Sequence, residues 1–474
     1  STGEALLHHY GSQKFATSTT GISVTGEVAA SQDYPTIRPT LDFNFAAVKK
    51  LDPRITYQRT GPASYVDEFG IVKFVGDNAP RFDHDAATGE CKGLLIEGGR
   101  KNYLENGDFV SSYGSGNSWL YGHGSDVYSA SSGSQLSTNP DGTSPAYHYA
   151  PSSTGAHHRF YRTVTVDAYD TSYVASVFVK RVTAGSASNL NRYLEIELSG
   201  DFATNGAPTG HSGAHGMSSV TFDLQNVTSQ YAGNSAVKAS GLVGDPKIED
   251  YGNGWYRCSY VFNPGTNDGS SSLTGQIWFG HPNALAGDAG NETGNGNPSF
   301  YLWGAMVEKG ASLTSYVPNH GALQNTRGAD VVTIEGEEFS DFYNQTEGTL
   351  VLAASYTHDI RTSAAVTIDD TSNESEYTEV GYRAGGGGSG AVASYTRTDA
   401  GNDQYFKQYT SSATEGNEFK VAFAYKDNDY ASSANGQTVD TDTSGTTSKV
   451  FDRLRFSDVD AVGTVGSGYY RRFM

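Results

Sequence analysis

"PRFDHDAATGECKGLLIEGGRKN", residues Pro80 to Asn102, gathers aspartates, a histidine, a cysteine and glutamates within a short span. As a ligand set, Asp83, His84, Asp85, Glu90 and Cys91 would make it a metal or catalytic site. As chain geometry it reads differently. An aspartate followed by Thr88-Gly89 is turn chemistry, because the Asp side chain bonds backbone just ahead of it and glycine tolerates positive φ. On that reading "DHDAATGE" is a polar turn between "PRF" and a strand "GLLIE". A chain written this way is made of short strands joined by polar turns.

The rest of the sequence extends the pattern. Among 474 residues there are 57 glycines, 31 tyrosines and 22 phenylalanines but only 3 methionines, and apolar residues come in short runs between Gly, Ser, Asn and Asp. "LDFNFA", "RITYQR" and "IVKFVG" precede the opening stretch; "YVASVFVKRV", "RYLEIELSG", "SSVTFDLQNV", "GWYRCSYVFN", "GQIWFGHP" and "SFYLWGAMVEKG" come after it. No segment sustains a helical apolar stripe, so the expected fold class is all-β with little helix. The length calls for more than one core. The expected divisions are an N-terminal β stalk and proline-stiffened connector (1–39), a β-rich adaptor (40–106), one β-sandwich (107–327) and a second (328–474). The first thirty residues cannot bury a core alone and need neighbours, either the next domain or copies from other chains. Asn435-Gly436 suits a two-residue hairpin turn.

Charge narrows the partners. With 52 acidic against 32 basic residues and a formal charge of −20, the chain lacks the clustered cations that nucleic acid or an anionic membrane surface requires. A neutral glycan, a bound cation or a basic protein patch remains compatible. No run approaches the ~18 to 20 apolar residues of a membrane-spanning helix, and the expectation is a soluble product with no membrane insertion. Cys91 and Cys258 read as structural thiols.

Several segments resemble bacteriophage tail-fibre and related virion adhesion proteins. "ALLHHYGSQKFATSTTGISVTG" is similar to the short β repeats of trimeric fibres. "LDFNFAAVKKLDPRITYQRTGPASYVDEFGIVKFVGDNAPRFDHDAATGECKGLLIEGGRKNYLENGDF" resembles a recurring segment of phage structural proteins. "NPDGTSPAYHY", "YVASVFVKR", "GNGWYRCSYVF" and "YLWGAMVEKGASLTSYVPN" look like carbohydrate-binding-module-like jelly rolls. "FKVAFAYKDNDYASSANGQTVDTDTS" and "RLRFS" look like a laminin-G or concanavalin-A-like sandwich. "GYYRRFM" closes that sandwich earlier than the family pattern does, which leaves a sheet edge in question. The resemblance implies a homotrimeric receptor-binding virion protein that contacts other virion proteins and host surface polysaccharide.

Glycan recognition asks for flat aromatic faces with amides and carboxylates beside them. Trp255 and Trp303 sit inside apolar strand patterns and read as core. Trp119, with Tyr121, His123, Asp126 and Tyr128 among glycines, reads as an exposed loop platform; Trp278 is a further candidate whose side of the strand the pattern leaves open. Glu195 and Glu197, two apart in "YLEIELSG", share one strand face. That pair resembles part of the acid triad of laminarinase-type jelly-roll glycosidases, but Ser199 stands at the third position. His211 and His215 are spaced for one helix face, which the surrounding glycines disfavour. Calcium could be held by loop aspartates, Asp427 and Asp429 or Asp440 and Asp442. The expected activity is glycan binding without turnover and without a cofactor other than calcium, with a glycan depolymerase and a purely structural virion role as alternatives.

Overall fold

The computed structural model describes residues 6–9, 12–18, 21–24, 39–109, 119–121, 127–131, 136–156, 158–167, 171–183, 191–200, 218–231, 245–264, 273–280, 282, 292–319, 324–357, 364–384, 390–398, 402–409, 413–456 and 467–474. The chain is nearly all-β and divides into two units, 1–40 and 41–474. In the first, strands Leu6–His9, Ser12–Ser18 and Gly21–Val24 form one antiparallel sheet in chain order. Described helices are single turns, Phe45–Val48 and Glu337–Ser340.

Within 41–474, two six-stranded sheets make the middle sandwich. One, here the Tyr161 sheet, runs in spatial order Leu120–Tyr121, Arg159–Val166, Leu273–Gly280, Tyr193–Gly200, Ser218–Asp223 and Thr228–Tyr231. The other, the Phe178 sheet, runs Val127–Ala130, Tyr147–Ala150, Phe300–Lys309, Tyr173–Arg181, Trp255–Phe262 and Lys247–Asp250. Leu194, Ile196, Val220 and Ile277 from the first sheet meet Val177, Val179, Tyr260 and Leu302 from the second in one core. In the Tyr161 sheet, Arg159–Val166 and Leu273–Gly280 alternate because one face lies in the core and the other is more open, whereas Tyr193–Gly200 and Ser218–Asp223 have residues buried on both faces. Tyr173–Arg181 instead reads as a near-continuous apolar run because both of its faces are covered. Phe178, with Trp255 and Trp303 from neighbouring strands, packs outward beneath Val66 and Val72 of the hairpin Ala63–Val66/Val72–Val75. Trp255 and Trp303 are 2% and 1% exposed, as core residues should be.

Two seven-stranded sheets form the second sandwich. One contains Asn402–Tyr409, Gly390–Thr398, Asn373–Ala384, Ala365–Asp370, Arg453–Arg455, Val331–Glu335 and Thr56–Gln58 in that order. The facing sheet contains Asp440–Asp442, Tyr430–Ala434, Phe419–Lys426, Glu347–Tyr356, Gly468–Phe473, Cys91–Ile96 and Phe82–His84. The segment 40–106 therefore supplies strands to both sheets of this sandwich rather than standing apart, and Leu41, Phe43 and Phe45 join its core. The middle sandwich is inserted into the second one. Its entry and exit strands, Arg100–Lys101 and Thr326–Arg327, pair with each other. Gly468–Phe473 is no open edge either, since it lies between Glu347–Tyr356 and Cys91–Ile96. Asn435 and Gly436 both take positive φ, 47° and 74°, and Gln437 N–H bonds Ala434 O at 2.9 Å, the expected turn.

The opening stretch is a structural hub. Asp85 Oδ1 accepts from the N–H groups of Ala87 (3.1 Å) and Thr88 (2.9 Å) and from Thr88 Oγ1 (2.9 Å), and Gly89 takes φ 73°, so the expected turn spans Asp85 to Glu90, while Asp83 and His84 of "DHDAATGE" belong to the strand Phe82–His84. Arg81, before that turn, donates through Nη1 to Glu97 Oε2 at 2.6 Å and through Nη2 to Asp330 Oδ2 at 2.5 Å. Arg327 lies 2.8 Å from Glu97. Glu97 also accepts from Ser315 N (2.7 Å) and Oγ (2.6 Å). Asp330 accepts from Tyr57 (2.5 Å) and Arg59 (3.4 Å). Side chains of Arg59, Arg81, Arg327 and Asp330 are 0% exposed. This buried network ties the second sandwich to Ser315 at the end of the insertion. Cys91 and Cys258 are both buried and unbridged.

Candidate functional site

The strand Arg159–Val166 alternates Phe160, Val164 and Val166 toward the core with Arg159, Tyr161, Thr163 and Thr165 on the face turned away from it. Register carries that face across the sheet. Tyr161 stands opposite Trp278, and Trp278 opposite Glu197; one step along, Arg159 stands opposite Gly280, and Gly280 opposite Glu195. Glu195 and Glu197 do share one face, as their spacing requires.

Geometry joins these residues into one site. The rings of Tyr161 and Trp278 stack with centroids 4.0 Å apart at 27°. Gly280 offers no side chain between Arg159 and the indole, and the guanidinium lies 4.5 Å from the Trp278 centroid. Tyr161 and Arg159 thus both pack against the indole. Arg159 Nη1 donates to both Glu197 oxygens, at 2.8 and 2.6 Å. The site grades from dry to wet. Glu195, Glu197 and Arg159 are 1%, 3% and 7% exposed, Tyr161, Trp278 and Gln276 are half-buried, and Thr163, Thr165 and Thr274 are exposed. Thr165 and Thr274 hydroxyls bond each other at 3.0 Å.

Chemically, this is an amphipathic platform: an aromatic pair for C–H surfaces, bordered by hydroxyls, an amide and a guanidinium–carboxylate pair. A carboxylate with both oxygens on one guanidinium is poorly placed to attack an anomeric carbon. The pair Glu195/Glu197 therefore offers a weaker basis for glycosidic chemistry than its spacing suggests.

The expected loop platform is differently placed. Trp119 is 4% exposed, stacks on Phe109 at 4.6 Å and donates from Nε1 to Asn106 O at 3.0 Å. Tyr128 is half-buried against Tyr147 and Phe160, at 5.4 and 5.7 Å. Both rings belong to an aromatic cluster with Phe160 and Phe279, whose packing outweighs the glycines around them. Tyr121 pairs by backbone with Phe160, and its side chain, His123, Asp126, His211 and His215 lie outside the described residues.

The aspartates considered for calcium serve protein donors. Asp427 Oδ1 accepts from Thr447 N (2.7 Å), Thr447 Oγ1 (2.9 Å) and Lys449 (3.2 Å). Asp440 pairs with Lys407 at 2.8 Å, and Asp442 caps Ser444 N at 2.9 Å. Asp429 lies between, its N–H bonded to Lys426 O at 2.9 Å. Among the described residues no group of three or more His, Cys, Asp or Glu side chains could hold a metal, the Asp83–Cys91 set included.

Sequence reasoning set Trp278, Glu195 and Glu197 down separately and missed Arg159 and Tyr161. The available signal was the alternation of "RFYRTVTV", which assigns Arg159 and Tyr161 to the non-core face once Phe160 is placed in the core. Comparison with known proteins gives no relative: no family model matches the chain, and a search of curated proteins finds none similar to it.

Proposed function

We propose that this chain is a bacteriophage tail-fibre or spike adhesin that binds host surface glycan through the Tyr161 face of its middle sandwich. The observation that carries the reading is the half-buried Tyr161/Trp278 stack set among Thr163, Gln276, Arg159 and Glu197 on a non-core sheet face. Carbohydrate-binding-module-like and concanavalin-like sandwiches behind a short N-terminal β segment fit such a protein. Residues 1–39 would form a homotrimeric stalk, and the chain would sit in the virion, bound to other tail proteins. Three copies would multiply weak single-site contacts without a new interface. Acidic charge keeps such a surface protein soluble and off nucleic acid.

The depolymerase reading keeps one observation in its favour, the shared face of Glu195 and Glu197. An array of bacterial capsular and lipopolysaccharide glycans, probed with the full chain, separates the readings. Saturable binding without release of reducing ends, weakened at least tenfold by Trp278→Ala, supports the adhesin. Release that Glu195→Gln abolishes supports the depolymerase. Absence of binding across the array, with retained binding to other virion proteins, would leave a structural virion part.

A further inference from the structure

The Tyr161 face keeps its charge and its open contact surface in different places. The strip open to solvent follows the paired strands Arg159–Val166 and Leu273–Gly280, from Tyr161 and Trp278 past Thr163 and Gln276 to Thr165 and Thr274. Four residues of strand make it roughly 13 Å long. It offers aromatic rings, threonine hydroxyls and an amide, and no carboxylate, amine or guanidinium.

Cations are scarce on this sheet, and those among the described residues are already engaged. Its six strands contain two, Arg159 and Arg162. Arg162 has the parity of Phe160 and Val164, so it points away from the Tyr161 face, and it pairs with Glu105 at 2.6 Å. Arg192, just before Tyr193–Gly200, is held by both oxygens of Asp223, at 3.0 and 2.6 Å. Arg159 belongs to the face, but it is 7% exposed and its Nη1 donates to both oxygens of Glu197, at 2.8 and 2.6 Å. Its guanidinium also lies 4.5 Å from the Trp278 centroid, so its charge is used twice, by a carboxylate and by the indole.

Glu197 thereby closes the guanidinium to a ligand. A ligand carboxylate or phosphate could pair with Arg159 only by displacing Glu197, which is 3% exposed and would be left buried without its cation. Glu195, 1% exposed on the same strand face, places a second carboxylate beside the pair. Two carboxylates against one guanidinium lie next to a neutral strip. That balance opposes an anion and leaves stacking and hydroxyl contacts available to an uncharged sugar.

Resting on the glycan reading of this face, we propose that Glu197 sets its selectivity: by holding Arg159 it restricts the site to uncharged polysaccharide and rejects chains that bear carboxylate or phosphate. Glu197 is then a positioning residue that acts through Arg159. The test uses the full chain and bacterial polysaccharides without carboxylate or phosphate, each titrated by calorimetry beside the same polymer after oxidation of its primary hydroxyls to carboxylates. The wild type is expected to bind the uncharged form at least tenfold more tightly. Its affinity for that form should change less than threefold between about 0.05 and about 0.5 M sodium chloride, since no ligand charge is there to be screened. Glu197→Gln combined with Glu195→Gln should raise affinity for the oxidised form at least tenfold over the wild type. A merely structural role for Glu197 would weaken both forms alike.

Equal wild-type affinity for the two forms, a tenfold loss of uncharged-form affinity at the higher salt, or a folded double variant with unchanged preference would overturn the proposal and leave the adhesin reading standing. Binding of neither form by the wild type would overturn both. The wild-type titrations and the salt series decide the matter even where the double variant does not fold.

Discussion

Glu97→Gln is the substitution to which the buried network should be most sensitive. Glu97 lies 2.6 Å from Arg81 and 2.8 Å from Arg327, and accepts from Ser315 N and Oγ at 2.7 and 2.6 Å. Glutamine keeps the shape but removes the charge, leaving two fully buried guanidiniums, of which Arg81 keeps its pair with Asp330 while Arg327 loses its pair with Glu97. Removing one partner of a buried pair typically costs about 3–5 kcal/mol, a large share of the roughly 5–15 kcal/mol that holds a domain together. Urea unfolding reads the loss through two probes. Tryptophan fluorescence reports the middle sandwich, where Trp119, Trp255, Trp278 and Trp303 all reside, and far-ultraviolet circular dichroism reports both sandwiches. Because the network joins Cys91–Ile96 to Ser315, both midpoints should fall.

Acid provides a second axis for the same residue. Burial raises the Glu97 carboxyl, but Arg327, Arg81 and the Ser315 hydrogen bonds outweigh it and hold the group far below the ordinary carboxylate range. A depressed folded value adds stability that is present above the unfolded value, near pH ~4.3, and drains away as pH falls below it. The wild type should lose stability in that window and Glu97→Gln should lose less. Asp83, whose folded value is raised, acts oppositely: its burial costs stability progressively as pH rises from the unfolded toward the folded value. Midpoints for Glu97→Gln within about 0.5 kcal/mol of wild type, with an unchanged acid limb, would refute the account of the network.

Trp119→Ala should destabilise the middle sandwich by about 3–5 kcal/mol, read by thermal unfolding, and not act as a selective binding mutation; the ring is 4% exposed. Gly93→Ala should cost at least the ~1–3 kcal/mol of a strained backbone position, because Gly93 takes φ +107° and a Cβ there would lie 2.1 Å from Tyr470 O. Chelator or millimolar calcium should leave the melting temperature of the second sandwich unchanged, since Asp427, Asp440 and Asp442 are engaged by Thr447, Lys407 and Ser444.

Local chemistry made part of this legible. Alternation in "RYLEIELSG" placed Glu195 and Glu197 on one face, the Asp85–Gly89 turn followed from residue types, and short apolar runs gave the all-β class. Long-range pairing was not legible. Nothing local in "GLLIE" says that it lies beside Gly468–Phe473, more than 370 residues on, so the insertion of one sandwich into the other stayed hidden. For the same reason "PRF" and the strand "GLLIE" read only as the two sides of a turn, although Arg81 and Glu97 need Asp330 and Arg327 to become a network. Trp119 misled because glycine-rich flanks describe a backbone and not the side on which a ring packs. Arg159 was overlooked because its partners Trp278 and Glu197 come from two other strands, and only register brings them together.

The most direct test of the central claim is a single binding isotherm of the full chain on purified surface polysaccharide from its strongest array hit, run beside the same isotherm for Trp278→Ala. Losing the indole should remove the stack with Tyr161 and the seat of Arg159, and weaken binding by roughly thirtyfold, the effect of losing a binding hot spot of about 2 kcal/mol. Superimposable isotherms from a folded Trp278→Ala protein would contradict it.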